Sequence, residues 1–217
     1  AAGAAVVVPH ADGGVPHLGC TRACCIAARR DPVRAEHVAS LALEIQDQGG
    51  GVRKIFIIDA TPDFRVQVDR ALAPQTFADR PQGLPVDGVL LTHAHIGHYT
   101  GLMYLGRESM SASAVAVYAT RRMGAFLSAN GPWKRLVAGK HIDLRTIEEG
   151  RRFELAPGLT VEPLRVPHRE EESDVVGFLV SGPSRRLLYI PDVDDWSRWR
   201  RDIAALVGSV DVALLDG

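Results

Sequence analysis

Residues 90–102 read LLTHAHIGHYTGL, with His93, His95 and His98 falling within six residues at the end of an apolar run. Neutral imidazole is a good ligand for zinc, iron and other borderline cations. His93 and His95 are two apart, so in an extended segment their rings project to the same side, and His98 can return as the chain turns into a helix. A lone histidine is more often a solvated or core residue. Three between a buried strand and a glycine-containing helix start favour a metal site.

Such a site needs a rigid platform, and the apolar patterning supplies one. Strands are expected at AVVV (5–8), RKIFIID (53–59), VDGVLLTH (86–93) and AVAVYAT (114–120). HIDLRTI, RRFELA and LTVEPLRV read as strands in a more antiparallel style, DVVGFLVSG and RRLLYIPD as a hairpin around GPSR, and VDVALLDG as a last strand. Helices are expected at TPDFRVQVDRAL, HYTGLMYLGRESM, RRMGAFLSAN (stopped by NGP) and WSRWRRDIAALVGS, while AEHVASLALEI suits helix or strand. Ligand-type residues recur at strand ends: Asp59, His93, His168, Asp192 and Asp216. The expected architecture is α/β, two packed sheets with helices outside, a four-layer αββα sandwich.

At 217 residues the chain suits one domain with a sizeable core. The balance of 25 Lys plus Arg against 26 Asp plus Glu argues against a nucleic-acid surface, and no apolar run approaches the roughly 20 residues of a membrane span. The expected partner is a small-molecule substrate. Oligomeric state is open, as is the choice between a cytoplasmic and a periplasmic soluble protein. Cys20, Cys24 and Cys25 lie within six residues, an odd and crowded set that makes a poor disulfide framework.

The stretch LLTHAHIGHYTGL resembles the H-x-H-x-D-H signature of the metallo-β-lactamase superfamily, with Gly97 on the aspartate. IIDATPDFRVQ resembles the strand and turn before that signature, His168 in RVPHRE falls on the next ligand histidine, and Asp192 in LLYIPDVDDW on the metal-bridging aspartate. With DGGVPHLGCTRACC, the chain is most similar to the branch holding pyrroloquinoline quinone biosynthesis protein B and the cyclic phosphodiesterase of phosphonate catabolism.

The resemblance implies one metallo-β-lactamase-like domain over 1–217 that lacks its C-terminal portion, since a final ligand histidine would follow Gly217. It implies a first metal on His93, His95 and His168, and a second on the residue at 97, His98 and a bridging Asp192. Zinc is the expected metal, as one or two ions, with iron or manganese as alternatives. A three-histidine cation keeps a position for water and lowers its pKa from roughly 15.7 to about 7, supplying hydroxide for attack on an ester or phosphodiester, with Asp192 and His98 as catalytic residues. Gly97 leaves space that a water or substrate group could fill, so the second site is expected to be weak or empty, and Gly97→Asp to strengthen it.

Other residues carry plainer expectations. Asp59 either hydrogen-bonds a ligand histidine or caps the following helix, and Asp63 reads as a turn residue. Cys20 and Cys24, with Cys25 or His17, could hold a structural zinc, but buried free thiols away from the catalytic metal fit as well. His10, His37 and His141 read as surface or half-buried residues, and Trp133, Trp196 and Trp199 as packing. REEES after His168 reads as a solvated loop from which Arg169 could meet an anionic substrate. Besides a hydrolase, the alternatives are an iron-dependent oxidoreductase like the quinone-biosynthesis relative and a non-catalytic scaffold.

Overall fold

A computed structural model describes residues 3–7, 12–45, 54–72, 80–81 and 83–216. Strands β1 (Gly3–Val7), β2 (Ser40–Ile45), β3 (Lys54–Ile58), β4 (Gly88–Leu90), β5 (Val115–Thr120) and β6 (Ile142–Ile147) form a six-stranded sheet in that order. A five-stranded sheet follows, from β7 (Phe153–Ala156), β8 (Leu159–Arg165), β9 (Val176–Ser181), β10 (Arg186–Ile190) and β11 (Val212–Leu215), ordered β11-β10-β9-β8-β7.

Strand side chains alternate between faces, and the central strands sort their residues into two different cores. On β3, Phe56 and Ile58 join Leu41 and Leu43 of β2 against Phe178, Val180 and Tyr189 of the second sheet. Ile55 and Ile57 point the other way, into a core shared with Phe64, Val68, Leu102 and Met123. On β10, Leu188 and Ile190 turn outward to meet Trp196, Trp199 and Ile203. Three apolar interfaces separate four layers, as the strand and helix patterning implied.

The helices are α1 (Ala23–Arg30), α2 (Phe64–Ala71), α3 (Ile96–Tyr99), α4 (Arg121–Ala129), α5 (Trp133–Ala138) and α6 (Ile203–Gly208). Of AEHVASLALEI, residues Ser40–Ile45 form the strand β2, with side chains buried on both faces. The expected helix HYTGLMYLGRESM is cut short: α3 gives way to a 3-10 segment, Thr100–Leu105. The cause is a close approach, since the Gly101 amide donates to Ala60 O at 2.8 Å and a Cβ there would run into Thr61 O. WSRWRRDIAALVGS also divides. Its 3-10 turn Trp196–Arg198 ends where the Trp199 indole donates to Arg165 O at 2.6 Å, and Asp202 caps α6 through the Ala205 amide.

HIDLRTI is β6, but it runs parallel to β5 in the first sheet and is not part of the antiparallel set. The crossover through α4 and α5 delivers it in that direction. RRFELA and LTVEPLRV do pair antiparallel, and GPSR closes the β9–β10 hairpin as expected. Helix α1 was not legible in the sequence, and it carries Cys24 and Cys25. Among the described residues no helix is long and apolar enough to cross a membrane.

Phe178 is fully buried between the two sheets. Phe178→Ala is expected to cost about 3–5 kcal/mol of unfolding free energy through the cavity it leaves, with Phe178→Leu costing clearly less. Urea denaturation followed by tryptophan fluorescence measures both.

Candidate metal centre

Four strands end at one edge of the sandwich, and the ligand-type residues follow their last positions. Asp59 follows β3, His93 lies just past β4, His168 past β8 and Asp192 past β10. The sheets are clasped there. The Val176 amide donates to Thr92 O at 3.1 Å, and the Ala94 amide to the Ser173 hydroxyl at 2.8 Å. His93, His95, His168 and Asp192 therefore converge, each offering a ligand atom within 4.8 Å of the others.

Hydrogen-bond partners decide which ring nitrogen keeps its lone pair. The Thr92 hydroxyl donates to the Asp59 carboxylate at 2.9 Å, so its oxygen is left to accept from His93 Nδ1, 2.9 Å away. That leaves His93 Nε2 as a lone pair. His168 Nδ1 lies 2.7 Å from Asp194 and His95 Nε2 lies 3.0 Å from Glu171, so each donates to a carboxylate. The remaining nitrogens, His168 Nε2 and His95 Nδ1, then face one another as acceptors at 3.0 Å. His93 Nε2 and Asp192 Oδ2 are buried 3.2 Å apart.

Acceptors turned toward a common point repel one another unless a cation lies between them. This donor set fits one. Burial keeps the His93 imidazole uncharged, pushing its pKa down to about 3. Burial alone would raise Asp192, but its contacts with His93 and His98 outweigh that and hold it well below the usual carboxylate range.

His98 occupies the deepest position. Its Nδ1 donates to Asp59 at 2.8 Å, and its Nε2 lies 2.7 Å from Asp12 and 2.8 Å from Asp192. Burial disfavours its charge, but the charge of Asp59 and the bonds to Asp12, Asp192 and Asp59 prevail, holding the ring well above its ordinary pKa. Burial pushes Asp59 up from the usual range. Of the two readings of Asp59, the structure supports the one in which it holds a histidine. It is Asp63 that stands at the start of α2, where it accepts from the Val38 amide and pairs with His37.

Asp12, Asp194 and Glu171 were not recognised in the sequence. Asp194 had a weak signal, standing two residues beyond Asp192. Glu171 corrects the reading of REEES as simply solvated, because it reaches His95, and Glu170 pairs with Arg165. Gly97 leaves no open space. A Cβ there would lie 2.7 Å from Asp12 Cα and Oδ1 and 2.9 Å from Asp12 O. Asp12, His93, His98 and Asp192 form a second group of ligand atoms within 4.8 Å.

The cysteines enter neither group. Cys25 is buried in α1 and accepts from the His17 amide, Cys24 is exposed, and all three thiols are free. His141 is half-buried against Ala112 O, and Trp133, Trp196 and Trp199 pack at the edges of the outer cores. Arg169 is exposed beside Asp194. His10 lies outside the described residues.

The chain is similar to several known proteins. The "Beta-lactamase superfamily domain" matches residues 54–217. Coenzyme PQQ synthesis protein B of Methylorubrum populi is 30% identical over 225 residues, covering 95% of this chain and 70% of that protein. The zinc-bound crystal structure of PqqB from Methylobacterium extorquens superposes with a TM-score of 0.77 at 26% identity, covering 99% of this chain and 72% of that one. A diphosphatase of the PhnP family shares the fold at a TM-score of 0.59 and 23% identity, over 91% of this chain and 69% of that one. With its sandwich, its histidine signature and these relatives, the chain belongs to the β-lactamase superfamily, alongside coenzyme PQQ synthesis protein B.

Proposed function

We propose that this protein is a metal-dependent hydrolase of a small-molecule ester or phosphodiester, with His93, His95 and His168 as ligands of a transition metal and Asp192 and His98 completing the catalytic site. The observation that carries this reading is the set of inward-facing acceptors: His93 Nε2, His95 Nδ1 and His168 Nε2, each left without a proton by the partner on its far side, with the Asp192 carboxylate beside them. A divalent cation bound there supplies Lewis acidity, activating water at neutral pH and polarising a phosphoryl or carbonyl oxygen.

The chain's own residues have separate tasks. Asp192 orients the attacking water. His98, backed by Asp59, fixes the Asp192 carboxylate 2.8 Å from its Nε2. Asp194 and Glu171 hold His168 and His95 in register, and Arg169, exposed beside them, is positioned to meet an anionic substrate. The zinc in the PqqB relative supports zinc here. A second reading draws support from the relatives named for coenzyme PQQ synthesis: an oxidoreductase holding iron on the same three histidines. Metal identity separates the two. Elemental analysis of protein purified without added metal, followed by assay on bis-p-nitrophenyl phosphate and p-nitrophenyl acetate, is the test. Zinc with turnover supports the hydrolase; iron without turnover overturns it.

Two substitutions probe the ligands. The His93→Ala/His95→Ala double variant is expected to lose the first metal equivalent and hydrolysis together, and full metal content in a folded double variant would refute the assignment. Asp194→Asn is expected to lower metal affinity by roughly 10–100-fold, because His168 loses the carboxylate that fixes its tautomer. Calorimetric zinc titration measures it, and the melting temperature should move little, since Asp194 is partly exposed.

A further inference from the structure

Gly97 is not a glycine because of its backbone. The described glycines with positive φ are Gly14, Gly19, Gly83, Gly150 and Gly158, so an L side chain at 97 meets no conformational penalty of that kind. What excludes a side chain is Asp12. Its Cα, Oδ1 and backbone O all lie within 3.0 Å of where a Cβ would be, and the two backbone atoms cannot swing aside as the end of a side chain would. The carboxylate that fills this place comes from a loop 86 residues before His98 in the chain.

Asp12 Oδ1 and Asp192 Oδ2 stand 2.7 and 2.8 Å from the same atom, His98 Nε2. His93 also belongs to this group, but its one free lone pair, on Nε2, is already needed with His95 and His168. Asp12, His98 and Asp192 remain: two carboxylates and an imidazole whose other nitrogen is held by Asp59. Three carboxylates surround the His98 ring, counting Asp59. A proton on that ring balances one of those charges, and a divalent cation balances more. Oxygen and imidazole donors in this mixture suit zinc or manganese.

We propose that Asp12 is a ligand of a second divalent cation, bound with His98 and bridging Asp192, and that Gly97 exists to admit it. The aspartate missing from the histidine signature has been replaced from another part of the chain. This rests on the reading that His93, His95 and His168 hold the first cation. The sequence expectation for Gly97→Asp is thereby reversed. An added side chain collides with the Asp12 backbone, so it displaces one carboxylate in supplying another.

The test is metal stoichiometry, independent of any turnover. Zinc titration by calorimetry, with elemental analysis after gel filtration, should give two equivalents for the unmodified protein. Asp12→Asn, nearly isosteric, should give one, with the tighter step unchanged. The weaker step should fall by more than the roughly 10–100-fold that loss of an outer partner costs. Asp12→Ala, which removes the carboxylate and adds no new donor, should likewise give one. Circular dichroism checks folding; if Asp12→Asn does not fold, the unmodified stoichiometry and Asp12→Ala decide. Two equivalents of unchanged affinity in Asp12→Asn would overturn the proposal. So would a single equivalent in the unmodified protein, which leaves the three-histidine reading intact. No bound metal in the unmodified protein would refute both.

Discussion

The carboxylate of Asp59 is the constraint on which the site depends. It is fully buried, and its residue sits at φ 66°, in the left-handed region that a non-glycine residue enters at a cost of about 1–3 kcal/mol. A buried acid is tolerable only when its oxygens are satisfied. Here they accept from the Thr92 amide, the Thr92 hydroxyl and His98 Nδ1, between 2.8 and 3.0 Å. The left-handed turn carries the chain out of β3 so that this carboxylate lies beneath the end of β4. One side chain thereby orients two imidazoles: His98 directly, and His93 through the Thr92 hydroxyl.

His95 and His168 are held the same way, by Glu171 and Asp194 on their far sides. Asp216 extends the pattern to the backbone, accepting from the Val193 amide at 3.0 Å and bracing the loop that carries Asp192. The acidic residues around the site thus divide by what their oxygens face. Asp192 and Asp12 turn toward His98 Nε2, whereas Asp59, Asp194 and Glu171 grip the outer nitrogens of rings. In sequence these five residues look alike, and only the folded edge separates them.

That limit explains what could be read in advance. His93, His95 and His98 were legible because they are local, and the apolar run before them announced a strand end. His168 and Asp192 came from family resemblance, since nothing in their spacing from His93 indicates proximity. Asp12 escaped notice because, although it opens the DGGVPHLGCTRACC stretch that carried the resemblance, an isolated acid in a glycine-rich loop has no periodicity that marks it as a ligand. The four layers followed from alternating strands. The helices were less legible: the apolar spacing of residues 98–110 suits an α-helix, yet the contact of Gly101 with the Ala60–Thr61 backbone imposes tighter winding. β6 was misjudged in direction because strand composition does not encode which neighbour it will pair with.

The clasp between Thr92 and Val176 joins segments that are remote along the chain, and the donors beside it are as widely separated: His95 lies 73 residues from His168, and Asp12 lies 86 from His98. Contacts of such separation form only once the intervening loops have closed, at a cost in chain entropy that slows them. A cation in the growth medium therefore meets no ready binding pocket in the nascent chain beyond the HAHIGH segment itself. Capture of the proposed cation would follow closure of the sandwich, and ligands drawn from both sheets would then turn the free energy of ligation into resistance to their separation. The edge that carries the chemistry would then also be the last seam to open.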